Sequence, residues 1–219
     1  MVNVTVMTID DPERALALSY APAAARAGLG ALFALDAALG QVLRTTREPM
    51  VGQMRLAWWR EALSRLDTAP PPGEPVLQAL AADVLPHGVK GATLALMIDG
   101  WEPLLGVIDD AAIAAHARWR GGALFEQAAI LLRADSGDPI TAAGQGWALA
   151  DLAAHLSDPD RATAARHAAM PFLTDAAAYR WSRNGRALGA LVHIARLDLA
   201  GPAGPVRVAR LAWHRLTGR

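Results

Sequence analysis

The sequence predicts an all-α protein, and three observations carry that prediction. Alanine and leucine dominate, β-branched residues come only in short runs, and apolar residues recur at spacings of three and four rather than two, the period of a helix with one buried face. Glycine and proline supply the punctuation. Pro22 sits near a helix start, Glu48-Pro49 marks a break and restart, and "APPPGEP" at 69–75 is a stiff loop, because proline fixes φ and withholds a backbone donor. Further breaks are expected at Pro86, Gly91 and Pro103, at "SGDP" (136–139), "SDPD" (157–160), Met170-Pro171, "RNGR" (183–186) and "GPAGP" (201–205). No repeat of about 20–50 residues and no low-complexity tail is visible, so a solenoid or a disordered arm is not expected. With 219 residues, 53% of them hydrophobic, one helical domain over 1–219 has chain enough for a sizeable core.

Composition excludes several classes. Lys+Arg and Asp+Glu are both 21, so no net field draws the chain to nucleic acid, and no nucleic-acid role is expected. There is no cysteine, hence no disulfide, no thiolate nucleophile and no Cys-based zinc site. The six histidines, at 87, 116, 155, 167, 193 and 214, show no His-x-x-x-His spacing; they are read as surface or partly buried residues, and no metal site is assigned to them. Gly28-Leu-Gly30 lacks a preceding strand and a third glycine, so it reads as close helix packing, as does Gly121-Gly122. No Gly-x-Ser-x-Gly elbow occurs, which argues against a serine hydrolase.

Location is read from the two ends. "MVNVTVMTIDDPERAL" has no basic segment followed by an apolar run, so a cytoplasmic protein is expected. The stretch "APAAARAGLGALFALDAALGQVL" is interrupted by Arg26 and Asp36 and reads as a buried helix, with peripheral membrane contact left open. The C-terminal "VRVARLAWHRLTGR" is amphipathic and basic, with Val206, Leu211 and Trp213 among Arg207, Arg210 and Arg215. It is either a last helix packed on the bundle or a surface for a membrane or a partner.

The stretch "EPMVGQMRLAWWREAL" (48–63) sets two tryptophans between two arginines. On a helix from about Met50 to Asp67, the residues Leu56, Trp59, Leu63 and Leu66 form one inward stripe. Trp59 is therefore a core residue, while Trp58, about 100° around the axis, flanks the stripe. Periodicity leaves two readings open: a core helix with a solvated charged edge, or one wall of a pocket.

The run "ALFALDAALGQVLRTTREPMVGQMRLAWWREAL" resembles a segment of the squalene/phytoene synthase family, in which "ALYAF" on one helix leads through a break with "EP" into Arg-Leu-x-Trp-Trp-Arg on the next. Arg55, Trp58, Trp59 and Arg60 carry that signature here. "LALMIDGWE" (94–102), "RGGALFEQAAILL" (120–132) and "GQGWALADLAAHL" (144–156) are similar, in order, to later helices of the family. The resemblance covers roughly residues 15–175. It implies an isoprenoid-synthase bundle around an apolar cavity, in which two prenyl diphosphates are joined head to head with Mg²⁺ held by two facing Asp-x-x-x-Asp helices.

The acids of that machinery are depleted. Where the first motif should fall the sequence reads "GQVLRT" (40–45), with Asp36 one turn earlier; the second should begin near His155, where Asp151 shares a face with it but Asp158 and Asp160 flank Pro159; and Leu104 stands where the family pattern has an aspartate. The chain is also shorter than active members. These departures resemble a branch that includes the respiratory complex I assembly factor with a phytoene-synthase-like domain. The first expectation is thus a non-catalytic binding or assembly protein with an apolar lipid or isoprenoid cavity, a protein partner in respiratory complex assembly, and no cofactor. The alternative is a Mg²⁺-dependent prenyltransferase that uses Asp36, Asp99, Asp151, His155 and Asp158 in a shifted arrangement. Arg26, Arg55, Arg60, Arg118 and Arg120 are the candidates for a diphosphate or lipid head group, and otherwise are expected to pair with acids such as Glu48, Glu61 or Glu126.

Overall fold

Most of the proline breaks of the sequence become starts of α-helices or 3-10 turns. In the computed structural model, which describes residues 12–201 and 205–219, α1 (Pro12–Leu18) is followed by a 3-10 turn and then by α2 (Arg26–Thr45) and α3 (Pro49–Arg65). Next come α4 (Pro75–Asp83), α5 (Gly91–Ala95), α6 (Ile98–Trp101) and α7 (Asp110–Ala115). A π-helical segment, His116–Gly122, joins α7 to α8 (Ala123–Leu132); α9 (Ile140–His155), α10 (Pro159–Ala178), α11 (Arg186–Ala200) and α12 (Pro205–Thr217) complete the chain. Among the described residues there is no strand. The N-terminal stretch expected to lack a leader, and the side chain of Val206, lie outside the described residues.

Pro49, Pro75 and Pro159 each open a helix, where the missing N–H costs nothing. Glu74, Asp109 and Asp158 cap α4, α7 and α10 by accepting from backbone N–H groups of the first turn. The "SDPD" break is therefore a stop and a restart together. Met170-Pro171, by contrast, is not a break: α10 runs through it. The carbonyl that Pro171 leaves unpaired belongs to His167, an exposed residue, while Ala165, Ala169, Leu173 and Ala176 stay buried and hold the helix on the bundle despite the lost bond.

The predicted stripe of α3 is buried, with Leu56, Trp59, Leu63 and Leu66 all in the core; Trp58 is 48% exposed and meets Trp59 edge-on at 5.2 Å between ring centroids. The long apolar stretch around α2 is long and apolar enough by composition to cross a bilayer, yet 56% of its most apolar window is buried within the bundle. Core burial on that scale is what an internal helix of a bundle needs.

At the centre lies α9, packed against α8, α10, α11 and the π-helical segment. Two glycines permit its closest approach. A Cβ on Gly121 would strike the Gly144 carbonyl, and one on Gly144 would strike that of Gly121. Gly28 is similarly crowded by Asp83 O and Leu131, but Gly30 faces open space, so only the first glycine of the Gly28-Leu-Gly30 pair serves packing. Two substitutions separate these roles. Gly121→Ala is expected to destabilise the protein by about 2–3 kcal/mol through backbone displacement, whereas Gly30→Ala is expected to stabilise it by about 0.5–1 kcal/mol through helix propensity. Paired thermal melts check both; a neutral Gly121→Ala would mean that the two helices are further apart than described.

Candidate functional site

The π-helical segment positions the most unusual side chain of the molecule. A π-turn inserts an extra residue into the helical ladder and is often found where a side chain must be aimed. Here it sets His116 and Arg120 inward from a segment closed by Gly121 and Gly122. Arg120 is only 3% exposed, and all the partners of its guanidinium are supplied by other helices or by its own turn. It donates to both oxygens of Asp36 on α2 (Nε–Oδ1 2.8 Å, Nη2–Oδ2 2.9 Å) and to Asp151 Oδ2 on α9 (Nη1, 2.5 Å). The guanidinium carbon lies over the rings of Trp101 and Trp147, 4.4 and 4.7 Å from their centroids, two cation–π contacts in a buried setting.

His116 completes this shell. Its Nδ1 is 2.7 Å from the Gly100 carbonyl, which assigns the proton to Nδ1 and leaves Nε2 to accept from Arg120 Nη1 at 3.1 Å. Burial, reinforced by the Arg120 charge, lowers the His116 pKa to about 3, so the ring is neutral and polarised. Burial opposes the charge on Arg120, but Asp151 and Asp36 outweigh it and the pKa rises. Burial likewise works against ionised Asp151, and Arg120 reverses the sign, so its pKa falls. Gly100 is required here because a Cβ would strike the Arg120 backbone N.

One guanidinium serves two carboxylates, and a second cation stands close by. Arg14 of α1, 4% exposed, stacks over Phe33 and Trp147 and also lowers the Asp151 pKa. Among the described residues Asp151 Oδ1 finds no hydrogen-bond donor. His155 Nδ1 lies 3.6 Å from it but donates instead to the Asp151 carbonyl at 2.6 Å. Both residues border an apolar hollow of about 280 Å³ whose other walls include Trp147, Ala150, Leu191 and Ile194.

Of the five acid-or-base candidates Asp36, Asp99, Asp151, His155 and Asp158, the structure brings together Asp36, Asp151 and His155. Asp99 is half-exposed in an ion pair with Arg60 (2.6 Å), and Asp158 is spent on the α10 cap. The two gathered carboxylates hold an arginine. Magnesium demands a near-octahedral set of free oxygen donors, and three of the four oxygens of Asp36 and Asp151 are already committed to Arg120. Among the described residues no group of three or more His, Asp or Glu side chains is placed to share a metal ion. The residues present therefore do not fit a multinuclear magnesium cradle.

The arginine candidates are dispersed rather than gathered. Arg26 donates to the Ala21 and Ser19 carbonyls, Arg55 to the Thr45 and Thr46 hydroxyls, Arg60 to Asp99 and Glu102, and Arg118 stacks over Trp119. The acids expected as their partners do other things: Glu61 pairs with Arg65, and Glu126 accepts from Thr141. Helical spacing fits the Glu61–Arg65 pair but did not show the cross-helix partners of Arg60 and Glu126. Trp58 does border a shallow hollow, with Glu61, Arg65, Pro70 and Pro72, well apart from the one behind Trp147. The sequence reading also missed His116, Trp101 and Trp147. The usable signals were the four-residue spacing of His116 and Arg120 on one helical face and the glycines at 100, 121 and 144, each marking a close approach.

The all-α bundle is consistent with a fold of the isoprenoid synthase type. The squalene/phytoene synthase family profile matches residues 9–196, and the chain belongs to that family. No curated protein and no solved structure matches it.

Proposed function

We propose that this chain is a non-catalytic member of the squalene/phytoene synthase family, a binding or assembly protein. The observation that carries the reading is the Arg120 guanidinium between Asp36 and Asp151: a fixed internal cation stands between the acids that a metal-dependent relative would leave free. A guanidinium neutralises carboxylates but offers no exchangeable coordination position for a leaving pyrophosphate. The apolar hollow beside Asp151 and His155 accommodates part of an isoprenoid or lipid tail, and of the two further charged side chains on its wall, Arg14 and Asp198, Arg14 already stacks over Phe33 and Trp147, so no free cationic cluster is offered to a diphosphate there. A protein partner of the kind found in respiratory complex assembly fits the same reading, as the related branch without aspartate-rich motifs suggests.

Isothermal titration with farnesyl diphosphate, with and without magnesium, followed by assay of released pyrophosphate, tests it. The expected result is no magnesium dependence and no pyrophosphate, with farnesol bound more tightly than its diphosphate. Magnesium-dependent release of pyrophosphate would overturn the reading and make Asp36, Asp99, Asp151, His155 and Asp158 a working set.

A further inference from the structure

Positive charge is not spread evenly in this neutral chain. From residue 180 to the end there are eight arginines and one acid, Asp198. The structure gathers part of that excess with an arginine from α2. Arg26, Arg183, Arg186 and Arg215 line one hollow of about 580 Å³ whose walls, drawn from 19–26, 183–186 and the end of α12, contain no acidic side chain. Among the described residues none of the four is in an ion pair with a carboxylate. Arg26 donates to the Ala21 and Ser19 carbonyls, Arg186 to the Arg215 carbonyl, and Arg215 lies over the Tyr20 ring. Four like charges around one open hollow repel one another, and an anion entering it would relieve that repulsion.

The helix that supplies Arg215 also carries an uncovered apolar face. α12 is fastened to the bundle along one side by Leu211, by His214 and by Arg207, which pairs with Glu13 and Asp198 at 2.5 Å each. On the opposite side Val208, Trp213 and Leu216 are 62%, 56% and 76% exposed. At 100° per residue, Arg210 and Arg215 flank this face on either side. Leu216 belongs both to the apolar face and to the wall of the arginine hollow, so the two features meet.

We propose that α12 is a membrane-docking helix and that the hollow of Arg26, Arg183, Arg186 and Arg215 takes the phosphate of an anionic phospholipid head group. The exposed apolar face enters the head-group and acyl boundary, the flanking arginines stay at the lipid phosphates, and guanidinium forks bind phosphate oxygens bidentately. An aqueous protein partner would need acids to answer the four arginines; a bilayer of anionic lipid answers both the charge and the apolar face with one surface. This site is separate from the buried Arg120 network, so it stands or falls independently of the reading given above.

Flotation of the full chain with vesicles of phosphatidylcholine containing about 30 mol% phosphatidylglycerol, and with vesicles of phosphatidylcholine alone, tests the proposal. Binding is expected to the anionic vesicles only and to weaken in high salt. Arg183→Gln with Arg215→Gln should reduce partitioning about thirty-fold, the factor that two surface arginines represent; Trp213→Ser with Leu216→Ser should reduce it at least tenfold. Unchanged circular dichroism and melting would show that both variants fold. Equal binding by parent and variants, or no binding to anionic vesicles, would overturn the proposal. So would calorimetric binding of inorganic phosphate at the hollow without any vesicle binding, which would make it a site for a free phosphate compound.

Discussion

Arg120→Met is expected to lower the melting temperature by about 10 °C or more. The substitution keeps an unbranched, apolar stem beneath Trp101 and Trp147 but removes the one cation that, among the described residues, is ion-paired with Asp36, leaving that carboxylate and Asp151 buried with their charges unanswered at this point. Breaking a buried ion pair from one side costs about 3–5 kcal/mol, and in a protein of this size each kcal/mol moves the midpoint by about 2–4 °C. Arg120→Lys should recover only part of the loss, because an ammonium cannot reach two carboxylates through a planar fork. The triple variant Arg120→Met, Asp36→Leu, Asp151→Leu should regain most of it, since apolar replacement of a whole buried network is often neutral or better. Differential scanning calorimetry of the four proteins decides. A single Arg120→Met variant that melts within about 2 °C of the parent would mean that Asp36 and Asp151 do not depend on the guanidinium.

The difference between what the sequence revealed and what it concealed follows from the range of the interactions involved. Helix positions, the buried stripe of α3 and the exposure of Trp58 depend on contacts three or four residues apart and on proline, so they were legible. Asp36, Asp151 and His155 were named through the resemblance only within a wider set that also held Asp99 and Asp158, which the structure places elsewhere. What was hidden is the residue that joins them. Arg120 lies 84 positions from Asp36 and 31 from Asp151, and its aim depends on a π-turn that no local propensity announces. The same holds for the second arginine cluster. Arg26 and Arg215 share a hollow although they sit near opposite ends of the chain, while the neutral total of 21 basic and 21 acidic residues averaged that local excess away. Pro171 erred in the other direction: a local rule for breaking helices was overridden by the buried alanine and leucine face of α10.

Acidification from pH 7.5 to pH 5.0 is expected to destabilise the fold strongly, through three histidines buried in the neutral form. His116 accepts from Arg120. His193 and His214 face each other between α11 and α12, with ring centroids 4.7 Å apart, and His214 Nε2 donates to the Arg186 carbonyl at 3.0 Å. Burial first, then neighbouring positive charge, lowers His193 to about 3, with His214, Arg210 and Arg196 as the charges that face it. His214 falls to about 4, again chiefly by burial, with the Arg186 carbonyl opposing and Arg186 and Arg210 assisting. Each of these folded-state values lies below the unfolded value of about 6.5. The unfolded chain therefore takes up protons first, so the stabilisation is complete above about pH 6.5 and is lost as pH falls toward 3–4. At pH 5 the loss is about 2 kcal/mol per histidine. The lowered Asp151 pKa acts only below the ordinary carboxylate range, so it leaves the slope between pH 6.5 and 5 to the histidines. Urea titrations at pH 7.5, 6.0 and 5.0 measure that slope. His193→Leu should remove one proton from it, whereas substitution of the exposed His167 by Gln should leave it unchanged. A stability that stays flat from pH 7.5 to 5 would show that the His193–His214 contact admits water and protons, and with it that α12 is not fastened along this face.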